Sequence, residues 1–520
     1  MKRRSFLATT AAAAVGTQVL GGVPLKAFTP MNMPVPMQPD DDRVLIVVQL
    51  FGGNDGLNTI IPVDDPNYYA IRPTIAVPKE KAISVLSRVY MHPALAPKDQ
   101  YGFPQMFEDG RLAVVQGIGY ENPNLSHFRS TDIWLSGFNS SDPEVRLLDG
   151  WLGRYWSKHL PGFPEQLPPD PIAVQIGGSL SMLLQSPKGD IGIALSDPQK
   201  FFELGQGLSP DMTPMSDETR YGREFNFVRT VAEQCDKYSS VVKNSFDKGK
   251  NVATYGEGGF IQQMKLVARL ISGGLKSKIF LVYMGGFDTH VQQQDEYQNG
   301  LHPYLLGQLA SGIGSFMQDA LSQGFADRVV GMTVSEFGRR PYENGSRGTD
   351  HGAASAQFVF GNGVRAGVYG QSPDLTNFDG NGDVRYQWDY RRVYADVLEN
   401  WFGGSPQETE DVLQDRVLPL GVLQRATSVD DAYEGRVEVN IRVSPNPSAE
   451  HVSVEWYQPV NGVTTVEIYG TDGRYVKTLL TDRLAPGTHR VSADGLQSGS
   501  YLCAVMINGR RSVAPLTVVR

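Results

Sequence analysis

Short apolar runs, many of them rich in β-branched residues, recur through the chain and are separated by longer mixed segments. Continuous apolar runs are typical of strands that are buried on both faces of a parallel sheet. Six runs are predicted strands: Val44 to Leu50, Leu112 to Gln116, Ile172 to Ile176, Ile279 to Met284, Val329 to Val334 and Gln357 to Phe360. Five segments are predicted helices: Ser126 to Trp134, Arg223 to Phe246, Gly259 to Ser272, Pro303 to Gln323 and Tyr390 to Trp401. The pattern predicts an α/β domain over residues 40–425, with a largely parallel sheet flanked by helices.

The pattern changes towards the end of the chain. After a polar stretch at residues 426–436, predicted to be a linker, apolar and polar positions alternate in runs such as Val452 to Trp456, Thr465 to Tyr469 and Tyr501 to Val505. Turn signals separate the runs: Asn461-Gly462, Asp472-Gly473, Pro486-Gly487 and Asn508-Gly509. Alternation with period two between turns predicts strands with one buried face. Residues 437–520 are therefore predicted to form a small all-β sandwich.

This predicted sandwich resembles a known sorting domain. Its residues Ser444-Pro445-Asn446-Pro447, Asp472-Gly473-Arg474 and Gly499-Ser500-Tyr501-Leu502 are similar to motifs of the C-terminal domain that directs substrates to type IX secretion. The resemblance implies that the secretion machinery is a partner and that the protein ends at the cell surface or outside the cell. A carbohydrate-binding or spacer sandwich is the alternative.

The opposite end of the chain has the features of a targeting signal. Met1 to Leu7 is charged, and Ala8 to Leu20 is weakly apolar and too short to span a bilayer. The pattern Arg3-Arg4-x-Phe6-Leu7 resembles the twin-arginine export signal, which implies transit through the periplasm after folding. We predict a signal peptide at residues 1–27, and a general secretory signal is the alternative.

Composition narrows the class of protein. At 520 residues the chain is too long for one core, and its content of 41% hydrophobic and 20% charged residues excludes wholesale disorder. The net charge is −9 and no basic run follows the N-terminus, so no nucleic-acid partner is expected. No apolar stretch is long enough to predict a transmembrane segment.

Polar side chains with metal-binding or catalytic chemistry follow the predicted strands. They are Asp55, Ser126, His127, Asp288, His290, Glu336, Asp350 and His351. In an open α/β sheet, ligands bind beyond the carboxyl ends of the strands, so these residues are expected to converge. Mixed carboxylates and imidazoles are typical ligands of zinc, manganese or iron, whereas carboxylates alone favour calcium or magnesium. We predict a divalent metal, zinc first and manganese, iron or calcium as alternatives, with the ligands Asp55, Asp288, His290, Glu336, Asp350 and His351.

Each of these elements alone has a plainer interpretation. An Asp that follows Gly-Gly is often a turn or a helix cap, and Asp350-His351-Gly352 could be a capped loop. The segment Asn377 to Asp383 begins like a calcium loop, but Trp388 stands in the place of the closing Glu, so a turn is predicted there.

Five segments in order resemble the uncharacterised family called domain of unknown function 1501: Val44 to Asn58, Asn124 to Phe128, Phe287 to His290, Ser335 to Arg339 and Gly348 to Gly352. That family looks like a branch of the alkaline phosphatase and sulfatase superfamily. The resemblance implies an alkaline phosphatase-like fold with Asp55 as the first-strand ligand and Ser126 as the nucleophile. It also implies that the remaining ligands are Asp288, His290, Glu336 and His351.

Two departures limit what the resemblance implies. Glu336-Phe337 stands where the superfamily usually has Asp followed by His, and the middle pair is spaced Asp-x-His, so two full metal sites are not expected. Ser126 is followed by His127-Phe128-Arg129, so the x-Pro-x-Arg signature of sulfatases is absent. An ordinary sulfatase is therefore not expected.

The predicted catalytic residues are Ser126, His127 and Arg129. A hydroxyl at a helix N-terminus faces unpaired N–H groups and the positive end of the helix dipole, which favour an anion, although a plain N-cap is the alternative. His127 could protonate a leaving group or simply pack. Arg129 could steady equatorial oxygens of the substrate or be solvated.

The leading hypothesis is an exported metal-dependent hydrolase that acts through Ser126 on a phosphate or sulfate ester of a small molecule or a polymer. The alternative is a non-catalytic surface binding or assembly protein that retains the superfamily fold and a structural ion.

Overall fold

A computed structural model describes residues 42–86, 89–206, 215–216, 218–295, 299–424, 439, 441–449, 451–458, 462–485, 487–507 and 510–519, and the backbone of two short paired strands, Val19–Leu20 and Val23–Pro24. Apart from these two strands, the predicted signal peptide at residues 1–27 lies outside the described residues, as does the predicted linker at residues 426–436. The domain boundaries at residues 40, 425 and 437 stay predictions.

The central sheet has nine strands. In chain order they are β1 (Val44–Leu50), β2 (Leu112–Gly119), β3 (Ala173–Ile176), β4 (Gly192–Leu195), β5 (Ile279–Met284), β6 (Val329–Ser335), β7 (Ser355–Gly361), β8 (Gly367–Tyr369) and β9 (Trp388–Asp389). Their spatial order is β4-β3-β5-β1-β6-β7-β2-β8, and β9 pairs with β2. All pairs are parallel except the two that β7 makes with β6 and β2. The predicted, largely parallel sheet is confirmed.

All six predicted strands are present, and β1 and β5 have the predicted bounds. The pattern did not predict β4, β8 and β9, which have four, three and two residues. β7 is antiparallel to β6, and residues 336–354, which connect the two strands, contain no helix. A parallel return is usually made through a helix.

Ten α-helices are described: α1 (Pro66–Ile71), α2 (Phe103–Glu108), α3 (His127–Ser136), α4 (Trp151–Lys158), α5 (Pro198–Gln206), α6 (Arg220–Lys248), α7 (Gly259–Ser272), α8 (Leu301–Ser322), α9 (Arg391–Asp396) and α10 (Pro406–Leu413). Each predicted helix is present, but the one predicted from Tyr390 to Trp401 is divided. Its first part is α9, and its second part is a π-helical turn over Val397–Trp401. No helix among the described residues combines the length and apolar content needed to cross a membrane.

The register of the central strands aligns their carboxyl ends. Leu50 of β1 lies opposite Met284 of β5 and Ser335 of β6, so the loops that follow these strands leave the sheet at one edge. β2 runs in the same direction and leads to α3, which begins at His127. β7 runs in the opposite direction, so the segment before Ser355 approaches the same edge. Loops from all these strands therefore meet there.

The C-terminal region is all-β, as predicted. One antiparallel sheet contains β10 (Ile441–Ser444), β11 (His451–Gln458) and β14 (Gly487–Asp494), and the other contains β12 (Gly462–Gly470), β13 (Tyr475–Leu484), β15 (Gly499–Ile507) and β16 (Arg510–Val518). Val454 and Trp456 of the first sheet share an apolar core with Ile468 and Val505 of the second. Two sheets that bury their inner faces in one core form a sandwich.

The turn Asp472-Gly473-Arg474 of this sandwich contacts the segment that follows α10. The Leu418 amide donates to the Gly473 carbonyl at 3.2 Å, and Arg392 Nη1 donates to the carbonyl of the residue before the turn at 2.6 Å. Arg416 pairs with the buried Glu467 at 2.6 Å. One of the motifs that resemble the sorting domain is therefore held in an intramolecular contact.

Candidate metal centre

A glycine turn after β1 connects three loops at the carboxyl edge of the sheet. The Gly52 amide donates to Glu336 Oε1 at 2.7 Å, and the Gly52 carbonyl accepts from Arg339. Gly52 has a φ of +123°, and a Cβ atom there would lie 2.2 Å from the amide nitrogen of Asp288. Glycine is needed for this conformation and this close approach. The turn therefore fixes the loops after β5 and β6 relative to β1.

Asp288 lies at the centre of the cluster that these loops form. Its Oδ1 lies 3.0 Å from His290 Nε2 and 3.2 Å from His351 Nε2, and its Oδ2 lies 3.4 Å from His127 Nε2. Arg339 Nη2 donates to the same Oδ1 at 2.7 Å. Burial alone would raise the pKa of Asp288, but the hydrogen bond and charge of Arg339, assisted by His351 and His290, lower that pKa to about 2. Asp288 is therefore a carboxylate at neutral pH.

Each of the three histidines in the cluster is held through its Nδ1 atom by an oxygen acceptor. The pairs are His127 with Glu336 Oε1 at 2.8 Å, His290 with Asp350 Oδ1 at 2.9 Å and His351 with the Leu125 carbonyl at 2.8 Å. Because a carboxylate or a carbonyl can only accept, Nδ1 is the donor in each pair, and a ring protonated at Nδ1 alone keeps on Nε2 the lone pair that a metal ion binds. In that tautomer all three Nε2 atoms can act as ligands.

The ligand atoms are spaced as one metal ion requires. The Nε2 atoms of His290 and His351 lie 3.0 Å apart, and with Asp288 Oδ1 they form a triangle with sides of 3.0–3.2 Å. Neighbouring ligands of a tetrahedral zinc ion are separated by about 3.3 Å, given bonds of roughly 2.05 Å. His127, Asp288 and His351 also offer ligand atoms within 4.8 Å of one another. One carboxylate and several imidazoles at these separations form a donor set that fits a divalent ion.

Glu336 lies behind His127, as seen from Asp288. Its Oε1 accepts from the Gly52 amide and faces His127 Nδ1, whereas its Oε2 is buried and has no hydrogen-bond partner among the described residues. The Glu336 side chain is only 2% exposed. In the structure, Glu336 therefore orients His127. Its role as a metal ligand stays a prediction.

Asp350 has a similar place behind His290. Its Oδ1 lies 2.9 Å from His290 Nδ1 and accepts from Asn344 Nδ2 at 3.2 Å. The hydrogen bond with His290 lowers the pKa of Asp350 against the weaker, opposite effect of burial. A carboxylate in this position orients an imidazole ligand and increases its basicity.

Asp55, the predicted first-strand ligand, forms a buried ion pair. Its Oδ2 accepts from Arg72 Nη1 at 2.6 Å and from Gln293 Nε2 at 2.5 Å, and its Oδ1 accepts from the Leu57 amide at 3.2 Å. Burial would raise the pKa of Asp55, but the charge and hydrogen bond of Arg72 outweigh burial and lower it, with His302 and Gln293 assisting. Both oxygens are therefore bound by protein donors, and the structure does not bring Asp55 into the cluster around Asp288.

Gln293 connects this ion pair to the cluster. Its Oε1 accepts from Thr289 Oγ1 at 2.9 Å and from Thr349 Oγ1 at 2.6 Å. Thr289 belongs to the loop after β5 and Thr349 to the segment before β7, and each is adjacent in sequence to residues of the cluster. The buried network therefore holds two ligand-bearing segments at a fixed separation.

Ser126 stands at the N-terminus of α3 between two residues that serve the cluster. The Leu125 carbonyl before it holds His351, and His127 follows it. Ser126 has the extended backbone of an N-cap, but its side chain makes no capping hydrogen bond and is exposed. The structure therefore shows no hydrogen bond that would support a role for Ser126 as a plain N-cap.

Arg129 anchors a loop beyond α3. Its guanidinium donates to the carbonyls of Ser140, Asp142 and Val145 at 2.6–3.0 Å, and all three of its nitrogens are engaged. These partners lie outside the cluster around Asp288, so no described contact of Arg129 supports its predicted catalytic role.

Three buried side chains that the sequence analysis did not single out hold the site together. They are Arg72, Gln293 and Arg339. Arg339 is 1% exposed and belongs to the same motif as Glu336. Its place in that motif could have identified it as a residue of the site. Arg72 and Gln293 lie in mixed polar segments, where such residues are usually solvated. Their burial follows from contacts distant in sequence.

Comparisons with known families agree with the two sequence resemblances. Residues 219–402 match the family described as "Protein of unknown function (DUF1501)", and residues 442–518 match the "Secretion system C-terminal sorting domain". The predicted sorting domain is therefore confirmed, and it points to export towards the cell surface or the extracellular space. Among curated proteins, none matches the chain.

Several solved structures are similar to the chain. One is a protein in the alkaline phosphatase superfamily from Vibrio parahaemolyticus, with 8% identity over 85% of this chain and 82% of that one and a TM-score of 0.34. Another is the PsFucS1 sulfatase from Pseudoalteromonas sp., with 11% identity over 87% and 83% of the two chains and a TM-score of 0.31. A third is the sulfur carrier protein SoxY from Chlorobium limicola f thiosulfatophilum, with 13% identity over 16% and 82% and a TM-score of 0.13. At these levels of similarity, the chemistry of the site rests on its own geometry.

Proposed function

We propose that this protein binds one divalent metal ion, zinc in the first place, through Asp288, His290 and His351, three protein ligands that leave a position open, with His127 beside them. The observation that carries the proposal is that three imidazole rings are oriented through Nδ1 while their Nε2 atoms converge on one carboxylate. A mixed set of imidazole and carboxylate ligands favours zinc, manganese or iron over calcium.

We further propose that the centre serves the hydrolysis of phosphate or sulfate esters. The ion would supply positive charge beside the oxygens of a bound ester. Ser126 stands at the N-terminus of α3, where unpaired N–H groups and the helix dipole favour an anionic group, and we assign it the role of nucleophile. Arg339 and Glu336 hold Asp288 and His127 in place.

Metal analysis and activity assays on the same preparations test this proposal. The wild type is expected to carry about one equivalent of metal and to hydrolyse an aryl phosphate monoester, a diester or an aryl sulfate only when metal is present. Asp288→Asn and His351→Ala are expected to lose both metal and activity. Ser126→Ala should keep its metal and lose at least about 10²-fold in kcat.

Ser346→Ala is the matched control, because Ser346 is an exposed serine on a neighbouring loop. It is expected to behave like the wild type. Full metal occupancy in Asp288→Asn and His351→Ala would reject the centre. An absence of turnover with zinc, manganese and calcium against all three ester classes would reject the hydrolase.

A non-catalytic surface binding or assembly protein is the second candidate, and the partners of two predicted site residues favour it. Asp55 is neutralised by Arg72, and Arg129 is engaged by a loop, so neither faces the cluster. Phe337 also stands where the superfamily usually has a histidine. Under this candidate, Ser126→Ala keeps the metal and the fold, and the wild type has no activity to lose.

For the export route, we propose a twin-arginine signal at residues 1–27, transit through the periplasm and type IX secretion. The support is the Arg3-Arg4 pattern together with the match of the sorting domain. Changing Arg3-Arg4 to Lys-Lys is expected to trap the precursor in the cytoplasm, and removing residues 437–520 should leave a folded protein in the periplasm. Normal export of the double-lysine form would reject the twin-arginine route, and surface delivery of the truncated form would reject the role of the sorting domain.

A further inference from the structure

Two aromatic rings lie beside the candidate metal centre at the carboxyl edge of the sheet. The ring of Phe51, which follows β1, is centred 5.4 Å from the imidazole of His127 and 6.1 Å from the ring of Tyr283. Phe51 is partly buried, whereas Tyr283 is 43% exposed. A row of three rings therefore leads from the centre to an exposed tyrosine.

Tyr283 is the one exposed residue of β5, since the other five residues of that strand are buried. Gln263 of α7 holds its backbone: the Tyr283 amide donates to Gln263 Oε1 at 3.0 Å, and Gln263 Nε2 donates to the Tyr283 carbonyl at 2.8 Å. A Cβ atom on Gly285 would lie 3.0 Å from the Tyr283 hydroxyl oxygen. The ring therefore lies against the start of the loop that leads to Asp288.

Phe51 is also held on both sides by backbone hydrogen bonds. Its amide donates to the Met284 carbonyl at 3.0 Å, and its carbonyl accepts from the Phe287 amide at 3.1 Å. The backbone polar groups of Phe51 and Tyr283 are thus engaged within the protein, and the pair offers a ligand mainly aromatic carbon. Side chains on a backbone fixed in this way lose little conformational freedom when a ligand packs against them.

We propose that Phe51 and Tyr283 form a subsite that binds the alcohol part of the ester, and that this part is an aromatic ring. The subsite depends on the proposed function, because the metal centre would hold the charged end of the same ester. Rings whose centres are about 4.5–7 Å apart are in direct contact, so no protein group separates Phe51 from His127. A sugar ring fits less well, because its hydroxyls need polar partners and the backbone groups here are already engaged.

Calorimetric titration of the purified, zinc-supplemented protein with three phosphonates tests the subsite. Benzylphosphonate and ethylphosphonate carry the same anionic group and differ in the phenyl ring, and neither is hydrolysed. The wild type is expected to bind benzylphosphonate about tenfold more tightly than ethylphosphonate. Cyclohexylmethylphosphonate, which has a saturated ring of similar size, should bind more weakly than benzylphosphonate.

Variants of the two aromatic residues locate the effect. In Tyr283→Leu and in Phe51→Leu, which keep an apolar side chain but remove the ring, the preference for the phenyl group should fall below about threefold. Tyr283→Phe keeps the ring and should keep the preference. Tyr457→Leu is the matched control, because Tyr457 is a strand tyrosine of the C-terminal sandwich and is 58% exposed. It should behave like the wild type. Partial loss of folded protein or of metal affects both phosphonates alike, so it leaves the ratio of the two Kd values unchanged.

Three results would overturn the subsite: no binding of either phosphonate, a phenyl preference that persists in both leucine variants, or equal affinities for the phenyl and the saturated ring. Assays with benzyl and ethyl esters separate this outcome from failure of the hydrolase. Turnover of both esters without a preference for benzyl rejects the subsite alone. A phenyl preference in binding without turnover of any ester rejects the hydrolase and leaves the subsite.

Discussion

Two polar regions meet at the carboxyl edge of the central sheet, and they satisfy their charges in opposite ways. Around Asp55, both carboxylate oxygens are bound by protein donors, and Arg72 supplies the opposite charge. Around Asp288, imidazole nitrogens face the carboxylate and one another. The first region is complete within the protein, whereas the second is a group of side chains that could hold a metal ion.

The difference shows that similar local sequences can serve two purposes. Asp55 follows Gly52-Gly53 and Asp288 follows Gly285-Gly286, each shortly after a buried strand. Asp55 ends beside a buried arginine and becomes a structural charge. Asp288 also has an arginine neighbour, Arg339, but its remaining contacts are with histidines, and it stays partly exposed. What surrounds the acid, rather than the motif before it, decides between the two roles.

Breaking the complete region should have the largest effect. Arg72→Met leaves the Asp55 carboxylate buried and unpaired, and is expected to lower the free energy of unfolding by about 3–5 kcal/mol, measured by urea denaturation. The double variant Arg72→Met/Asp55→Asn should recover much of that loss, because the lone charge is gone. A loss below about 1 kcal/mol in the single variant would contradict the comparison.

Removing the cation from the second region should have a slightly smaller effect. A chelator is expected to lower the free energy of unfolding of the wild type by about 3–4 kcal/mol when metal had been present at 100 to 1,000 times its Kd. Asp288→Asn should show no response to the chelator, whereas Asp55→Asn should respond like the wild type. Equal responses of these two variants would show that the regions are not distinct in their need for metal.

Acid should expose a third difference, at His302, which lies in the complete region beside Asn54. Burial lowers the pKa of His302 from 6.5 to about 4, despite the opposing charge of Asp55. The folded state therefore resists protonation that the unfolded chain accepts, so this contribution to stability is present above pH 6.5 and is lost as the pH falls towards about 4. The loss is expected to reach about 3 kcal/mol.

The free energy of unfolding of the wild type is compared with that of His302→Gln at each pH. Both proteins are measured in the presence of a chelator, so that loss of metal at low pH does not contribute. The curves of unfolding free energy against pH should converge below pH 6.5, because the variant lacks the acid-sensitive contribution. Parallel curves would contradict the prediction.

The smallest effect is expected from a residue behind the ligands. Asp350→Asn weakens the acceptor that orients His290, and should reduce metal affinity by about 10- to 100-fold, less than the loss of Asp288 causes. Competition with a chromophoric chelator measures the change. Asp295→Asn is the control, since Asp295 is 70% exposed and pairs loosely with Arg347 at 3.5 Å. A metal affinity equal to that of the wild type in Asp350→Asn would remove Asp350 from the site.

The hydrophobic pattern was sufficient for the fold because the buried strands are long apolar runs. β1 and β5 could be bounded to the residue, and their parallel pairing follows from the segments between the strands. The rule that ligands gather at the carboxyl ends of parallel strands also anticipated that Asp288, His290 and His351 would meet. Short strands such as β9 could not be predicted, because two residues are too few to show a hydrophobic period.

The division of the polar residues into ligands and supports could not be predicted from the sequence. Asp55, Glu336 and Asp288 are all acids after strands, but their partners come from elsewhere: Arg72 from the end of α1, and His127 from the start of α3. Such pairings depend on tertiary contacts between segments far apart in the chain. The sequence offers no period or motif that records them.

Gly52 has a consequence for how this site can change during evolution. Its amide, its carbonyl and its missing side chain are all used, by Glu336, Arg339 and the backbone of Asp288. Any replacement places a Cβ atom where the next loop already lies. In a saturation mutagenesis screen, position 52 should therefore tolerate as few substitutions as the proposed metal ligands do, although its side chain offers no ligand atom. If ligands were identified only as the positions that tolerate no substitution, Gly52 would be counted as a ligand by mistake. A homologue without Gly52 would keep every proposed ligand residue but would no longer hold them in place.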